Sequence, residues 1–474
     1  MGNIGIEITD RPIVSGMGLG IMRFKADTDG RIPQAARSVI KKAYESGINY
    51  FDSGFEYIKG TSESIIKSEL VDRYPRETFF IADKLPIWKV TKKEDVKNLF
   101  EIQLERLGVD YIDFYLIHAV NNRYFEMIKQ YEVMDVLSEL KDKGYIKKLG
   151  FSFHDNEEVL EKVLDHYSWD FCQLQINYYD WYAQHAKSNY ELCTHRNIPV
   201  FVMEPIGGGR LINLPEEAKQ LLRNNGFTPA GFALSFFKRL ENVRVVLSGS
   251  LKEAELEENI KTLGGKKIKD DKDDLYAEIV RMIQDKSPVP CSACGYCLKE
   301  CPRKVDIPLC FQKYNDSVML GIPSQYRNFG EFYFNCIPVE SRAENCIKCG
   351  KCAKRCPQSI SIPNQLSEVY KKAAISLLGI KEESLGILKE KKVVCFGSGN
   401  MGREYKNILE RLGISITYFC DNSKAKWGTV ESGIEVISPD FLERNKDEYY
   451  VLISSTHYDA INEQLEKSGI NVIN

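Results

Sequence analysis

Between residues 14 and 248 the chain alternates strand-like and helix-like patterns at the spacing of βα units. Apolar runs fall at Val14–Leu19, Ile48–Phe51, Phe79–Ala82, Tyr111–Ile117, Ile146–Phe151, Phe171–Ile176, Val200–Met203 and Val243–Leu247. Between them lie amphipathic segments such as Ala35–Glu45, Ser62–Val71, Lys93–Arg106, Val133–Lys143, Asn156–Leu164 and Lys252–Thr262. Eight such units in about 260 residues is the arithmetic of a (β/α)8 barrel, also called a TIM barrel, an α/β fold. A doubly wound sheet would carry an early glycine-rich phosphate loop, and Gly16, Gly18 and Gly20 do not follow that pattern.

The chain is 474 residues long, enough for about three domains. Apolar residues make up 43% and charged residues 28%, an ordinary globular composition. Lys and Arg number 64 against 67 Asp and Glu, a net charge of −3. That balance argues against a whole-protein binder of nucleic acid or anionic membrane. No apolar run approaches the ~18 residues of a membrane span. The first twenty residues carry Glu7, Asp10 and Arg11 and lack a signal layout, so the expected location is cytoplasmic. The expected organisation is a barrel over 1–265, a cysteine-rich domain over 266–365, a helical linker over 366–387 and a βαβ domain over 388–474. The glycine and charge run at 264–274 reads as a solvated connection.

In such barrels the catalytic groups sit at the C-terminal ends of the strands. The second run leads into Asp52, with Tyr57 five residues on, the third into Lys84 and the fourth into His118. A phenol's reference pKa near 10 is too high for an efficient acid at neutral pH. A neighbouring ammonium lowers it, and a carboxylate keeps that ammonium charged and oriented. A histidine orients a carbonyl by hydrogen bonding. Asp52, Tyr57, Lys84 and His118 therefore suit proton delivery to a carbonyl oxygen while a hydride arrives at carbon.

The stretches GINYFDSGFEY, LERLGVDYIDFYLIH, VMEPIGGGRL and SGSLKEAELEENI, with the four groups in that order, resemble the aldo/keto reductase family. The resemblance covers about residues 1–263. It implies a nicotinamide-dependent oxidoreductase that reduces a small-molecule carbonyl, or oxidises the alcohol, by hydride transfer, with Tyr57 as acid and base. It also implies cofactor contacts from Ser152 and Gln175 to the carboxamide, and from Gly207, Ser250, Glu258 and Asn259 elsewhere. Two positions depart from the family pattern. Phe153 and His154 follow Ser152 where many members have asparagine, and Met203 stands where many stack an aromatic ring. Glu255 occupies a place where many NADP-dependent members carry arginine. An acid there repels a 2′-phosphate and accepts from a 2′-hydroxyl, which favours NADH over NADPH.

Of the 14 cysteines, eight form two copies of C-x₂-C-x₂-C-x₃-C-P, at Cys291, Cys294, Cys297, Cys301 and at Cys346, Cys349, Cys352, Cys356. This is the bacterial ferredoxin run, whose fourth cysteine ligates the other cluster. Cys291, Cys294, Cys297 and Cys356 are thus assigned to one [4Fe–4S] cluster, and Cys346, Cys349, Cys352 and Cys301 to the second. A pair of zinc sites is the alternative for C-x₂-C spacing. A reductase-like barrel followed by a ferredoxin-type domain resembles a bacterial subgroup of the family. Nicotinamide moves two electrons and each cube passes one, so joining them requires a converter such as a flavin, for which the sequence carries no signature.

From Lys392 the sequence reads KVVCFGSGNMG: an apolar strand, then Gly397, Gly399 and Gly402, then a helical pattern. A second strand ends at Asp421, nineteen residues after Gly402, where a ribose-binding acid belongs. DNSKAKWG and VLISSTHYDAINEQL resemble small Rossmann-like domains appended to bacterial sugar-modifying and surface-polysaccharide enzymes. The expected ligand is a nucleotide or nucleotide sugar, with a packing or docking module, and Asp421 as a plain turn residue, the alternative; a sugar-related carbonyl or polyol is the substrate class this resemblance implies. Two other functions fit the same residues: an electron-transfer oxidoreductase coupling NAD(P)H to ferredoxin-type partners, and a redox or nucleotide sensor with little turnover.

Overall fold

A computed structural model of the chain describes residues 13–24, 32–183, 186–264, 272–291, 295–323 and 325–474. Glu7, Asp10, Arg11, Cys294 and most of the 264–274 run lie outside the described residues. The chain divides into two compact units, one running to Asp285 with Pro323–Gln325, the other comprising 286–322 and 326–474.

The first unit is a closed parallel barrel of β1 (Met17–Gly20), β2 (Tyr50–Asp52), β3 (Phe80–Leu85), β4 (Ile112–Val120), β5 (Ile146–Phe153), β6 (Phe171–Gln175), β7 (Val200–Met203) and β8 (Val243–Ser248). β8 pairs back onto β1. Alternate side chains point inward because the strand period is two. Tyr50, Phe80, Phe114, Phe171 and Phe201 fill the barrel, with ring centroids of adjacent pairs 4.7 to 6.1 Å apart. Rings of that size demand small neighbours. A Cβ on Gly18 would lie 2.7 Å from the Tyr50 ring, and one on Gly150 would lie 2.7 Å from the Phe171 ring. The first strand is Met17–Gly20 rather than the expected Val14–Leu19 run, because the glycines supply ladder backbone without an apolar signal. Helices cover the outside, and β6 and β7 are followed by helices that the pattern did not mark, at Ala186–His195 and Glu216–Asn224.

The second unit contains the cysteine region and an open five-stranded sheet. Its strands are β9 (Lys392–Phe396), β10 (Ile416–Cys420), β11 (Val430–Glu431), β12 (Ile434–Ile437) and β13 (Tyr449–Ile453), in the order β11-β12-β10-β9-β13. All neighbours are parallel except the β11–β12 hairpin. Residues 366–387, expected as a helical linker, fall in the helices Ile362–Leu378 and Ser384–Glu390, and the first of these is packed. Its Leu366, Val369, Ala373 and Leu378 join one apolar core with Val305 and Phe311 on one side and Cys395, Ile408 and Leu452 on the other. A Cβ on Gly330 would sit 2.4 Å from the Leu377 backbone nitrogen, so a second helix, Phe329–Cys336, lies directly against this one.

Candidate active site and cysteine clusters

Asp52 ends β2, Lys84 lies near the end of β3, His118 lies near the end of β4, and Tyr57 opens a short 3₁₀ turn at Tyr57–Gly60. The four meet at one rim. Lys84 Nζ donates to Asp52 Oδ1 at 2.7 Å and also to the Ser53 carbonyl. It lies 4.9 Å from the Tyr57 ring centroid. Tyr57 Oη is 3.4 Å from His118 Nε2, and the two rings meet edge to face. Lys84 and Asp52 are 0% and 4% exposed.

Burial sets the electrostatics. It pushes the Asp52 carboxyl up, with the Lys84 ammonium pulling back. Asp52 and Tyr57 hold Lys84 above its ordinary value despite burial. Burial likewise pushes the Tyr57 phenol up, and Lys84 opposes this without reversing it. The sequence reading had the ammonium lowering Tyr57; desolvation of the phenolate outweighs it here. Tyr57 therefore stands protonated, ready to donate. His118 is driven well below its usual value by burial, by Lys84 and by His154, so its imidazole is neutral. A neutral ring orients by hydrogen bonding; it has no second proton to give.

The remaining expected contacts lie on the same C-terminal side of the barrel. Ser152 Oγ, at the end of β5, accepts from the Ala119 N–H at 2.8 Å, which leaves its own hydroxyl proton to donate. Gln175 Nε2 donates to Asp180 Oδ2 at 3.0 Å, and Asn177 donates to the same oxygen at 2.7 Å. After β7, Gly207, Gly208 and Gly209 take φ of 58°, 65° and 93°, a left-handed run open to glycine. After β8, Asn259 donates to the hydroxyls of both Ser248 and Ser250. The loops after strands seven and eight are where such barrels hold phosphate. Arg23 brings a cation there: its guanidinium lies 3.5 Å from where a Gly209 side chain would begin, and its chain packs over Gly249. Glu255 accepts from the Leu251 N–H at 3.0 Å, and Glu258 accepts from the Thr228 hydroxyl.

Trp88 and Glu204, just past β3 and β7, are legible as rim candidates in the sequence; Arg23 and Gln325 are not. Trp88 lies tilted against His118, ring centroids 5.0 Å apart, and donates to Glu56 at 3.0 Å. Gln325 donates to Glu204 at 2.9 Å across 121 residues of sequence. The positive φ of Glu204 is invisible before the fold.

The cysteines ring two cavities. Cys301 lines the first together with Cys346, Cys349 and Cys352. Cys356 lines the second together with Cys291 and Cys297, while Cys294 lies outside the described residues. Each motif thus lends its fourth cysteine to the other's cavity, the partition that the spacing implies for two cubes. Gly295 and Gly350, at the same place in each motif, take φ of 75° and 73° and let the loop turn around its cavity. Backbone N–H groups of Val305 and Lys348 lie 3.4 Å from the sulfurs of Cys301 and Cys346. The donor set fits a [4Fe–4S] group: thiols spaced around a cavity, with N–H dipoles aimed at sulfur.

Gly397, Gly399 and Gly402 lie in the second unit, in the turn from β9 into the helix Asn400–Arg411. A Cβ on Gly397 would meet the Ser454 carbonyl at 2.4 Å, and one on Gly402 would meet the Gly397 carbonyl at 2.0 Å. Close packing at the turn alone therefore requires both glycines. Asp421 does not present a bare carboxylate to a ribose. It accepts from the Ser398 hydroxyl and Lys426 Nζ, each at 2.7 Å, and from the Ser423 N–H at 3.0 Å. Burial would raise its pKa, yet these donors hold it at about 2.

Comparison with known proteins follows the same division. The 4Fe-4S dicluster domain matches residues 290–360, and the family described as C2185-like, N-terminal, matches residues 389–473. A probable aldo-keto reductase 1 of Glycine max is 25% identical over 304 residues, covering 56% of this chain and 86% of that protein. The NADH-specific methylglyoxal reductase of Escherichia coli is 30% identical over 198 residues, covering 38% of this chain and 58% of that protein. Among solved structures, an aldo-keto reductase from Klebsiella pneumoniae in complex with NADPH superposes with a TM-score of 0.47 at 18% identity, covering 57% of this chain and 91% of that one. The aldo/keto reductase family matches residues 16–279, more than half of the chain. This chain therefore belongs to the aldo/keto reductase family, as an oxidoreductase that carries a 4Fe-4S domain after its barrel.

Proposed function

We propose that the barrel reduces a small-molecule carbonyl with a nicotinamide coenzyme, and that Tyr57 supplies the proton. The observation that carries this is the assembly at one rim of the buried Asp52–Lys84 pair with the half-buried Tyr57 and His118. The coenzyme, when bound, supplies a hydride to the carbonyl carbon. Neutral His118 and the phenol of Tyr57, 3.4 Å apart, hydrogen-bond the carbonyl oxygen from two sides. As negative charge gathers there, Tyr57 gives up its proton. The Lys84 ammonium, fixed by Asp52, stabilises the phenolate left behind. Trp88, its ring tilted against His118, gives the site an apolar wall on that side.

Gly207–Gly209, Arg23, Ser250 and Asn259 form the cradle for the coenzyme's phosphates, and Ser152 and Gln175 face its carboxamide. The glycine run, with the Arg23 guanidinium beside it, supports that fit. NADH is the preferred coenzyme. Glu255 puts an acid near the 2′ position, and the Escherichia coli relative is by name an NADH-specific methylglyoxal reductase. A small aldehyde or ketone is accordingly the substrate class. The two cysteine sets hold two [4Fe–4S] clusters, Cys291, Cys294, Cys297 and Cys356 on one and Cys346, Cys349, Cys352 and Cys301 on the other. The test is anaerobic reduction of an aldehyde panel with NADH and with NADPH, by the wild type and by Tyr57→Phe. The proposal expects NADH-dependent turnover that falls by about 10²–10⁴-fold in Tyr57→Phe. Equal turnover by the two proteins would overturn it.

A further inference from the structure

We infer that the cavity ringed by Cys301, Cys346, Cys349 and Cys352 opens onto a docking surface for an acidic one-electron carrier protein. This rests on the reading of the cysteines as cluster ligands. The first observation is charge. The two cysteine motifs with Arg303 and Lys304 carry seven basic residues and one acidic residue, in a chain whose net charge is −3. The seven are Lys299, Arg303, Lys304, Lys348, Lys351, Lys354 and Arg355, and all are exposed. The single acid, Glu300, lines the cavity and is paired with Arg355 at 3.3 Å.

The second observation is that the two cavities differ. Arg303, Ile347 and Gly350 line the first, and Lys348 and Lys351 flank those residues in sequence. Among its ligands Cys349 is exposed, and Ile347 beside it is 54% exposed. The described lining of the second cavity, which includes Tyr296, Pro308, Phe311, Gln358 and Ile360, carries no charged side chain. The first site therefore joins an exposed ligand and an apolar contact point, Ile347, to charged residues of its own rim, whereas the exposed Tyr296 of the second sits in a described lining without charge. Charge of one sign around a small apolar centre steers an oppositely charged protein and fixes its orientation. A nucleic acid backbone would use the cations but gain nothing from Ile347 or from an exposed cluster thiolate. In the docked pair one electron passes from the reduced carrier to the cluster. The carrier is oxidised by one electron, the cluster is reduced by one, and no proton or atom moves.

The experiment uses the full chain purified anaerobically and a fluorophore-labelled plant-type [2Fe–2S] ferredoxin, a strongly acidic protein, as the probe. Iron and sulfide are counted first; a protein with zinc in place of iron would sink the cluster reading independently of the binding result. Binding is read by anisotropy. The inference expects an affinity that falls about tenfold or more when salt rises from about 20 to about 200 mM. It expects a similar loss at low salt in K348E/K351E/K354E with unchanged cluster absorbance. Reversal of the same number of charges on barrel helices, K41E/K97E/K129E, should leave binding within about twofold. Absence of salt-dependent binding to the wild type would overturn the inference. So would equal binding by K348E/K351E/K354E, or tighter binding of a single-stranded DNA oligonucleotide than of the ferredoxin.

Discussion

Replacing Lys84 by Met separates the two jobs of its ammonium. Nζ lies 2.7 Å from Asp52 Oδ1 and 4.9 Å from the centre of the Tyr57 ring. Without it, Asp52 is a buried carboxylate whose Oδ2 has no hydrogen-bond partner either. Stranding one partner of a buried pair costs about 3–5 kcal/mol. Lys84→Met/Asp52→Asn removes the stranded charge, so most of that stability should return. The chemistry should not return. With the ring centre 4.9 Å from Nζ taken as the seat of the charge, the ammonium attracts the phenolate by about 3 kcal/mol at an effective dielectric constant near 20. Tyr57, already pushed up by burial, would rise further in Lys84→Met, and by less in the double variant, which also loses the Asp52 charge that raises it. In the alcohol-oxidation direction Tyr57 must be phenolate to accept the proton. The rising limb of the pH–rate profile should therefore move to higher pH, most in Lys84→Met, where the rate below it should fall by about 10²-fold. Thermal unfolding reads the stability, and NAD⁺-dependent oxidation of the alcohol matching the best aldehyde reads the chemistry. A double variant with wild-type stability and an unmoved limb would refute the reasoning.

Three further outcomes follow from other sites. Glu63, fully buried, is pushed up to about 7 by burial, with the Arg106 guanidinium opposing. Its raised value means the fold prefers it protonated. Stability is therefore present below its unfolded pKa of about 4.5 and is lost as pH rises from there through 7, on the order of 2–3 kcal/mol. Glu63→Gln should flatten that slope in barrel unfolding between pH 5 and 8, and parallel curves would contradict it. Asp421→Asn discards the charge that holds Ser398, Ser423 and Lys426. It should destabilise the β9–β13 sheet by about 1–3 kcal/mol in denaturant unfolding while leaving barrel turnover unchanged. Crossed ligation predicts a pattern of iron loss: Cys301→Ser/Cys349→Ser should lose one cluster and Cys301→Ser/Cys291→Ser should lose both, with ligation inside each motif giving the reverse.

Much of the barrel was legible because parallel strands buried on both faces read as apolar runs. Val200–Met203 is a strand with those same limits. Strand ends then placed Asp52, Lys84 and His118 on one rim without knowledge of side-chain contacts. The direction of Tyr57's shift was not legible, because it is a contest between desolvation and Lys84 that depends on how deeply the ring is buried. Contacts across long sequence distance, such as Trp88 to Glu56 and Gln325 to Glu204, have no period to betray them. The 366–387 stretch looked like a linker because its apolar face has meaning only once Phe311 and Ile408 are known to cover it. Asp421 sat at the spacing of a ribose-binding acid, yet spacing says nothing about Lys426, which takes one of its oxygens. The place of Cys301 and Cys356 in the other motif's cavity was legible, since the motif itself encodes which thiol its loop turns away.

The most direct test of the account is a single anaerobic turnover with NADH carrying deuterium at the transferable C4 position and the aldehyde the enzyme reduces fastest. The account predicts deuterium on the carbinol carbon of the product, with no bleaching of cluster absorbance as NADH is consumed. NADH oxidation with bleached clusters and no label in the product would contradict it.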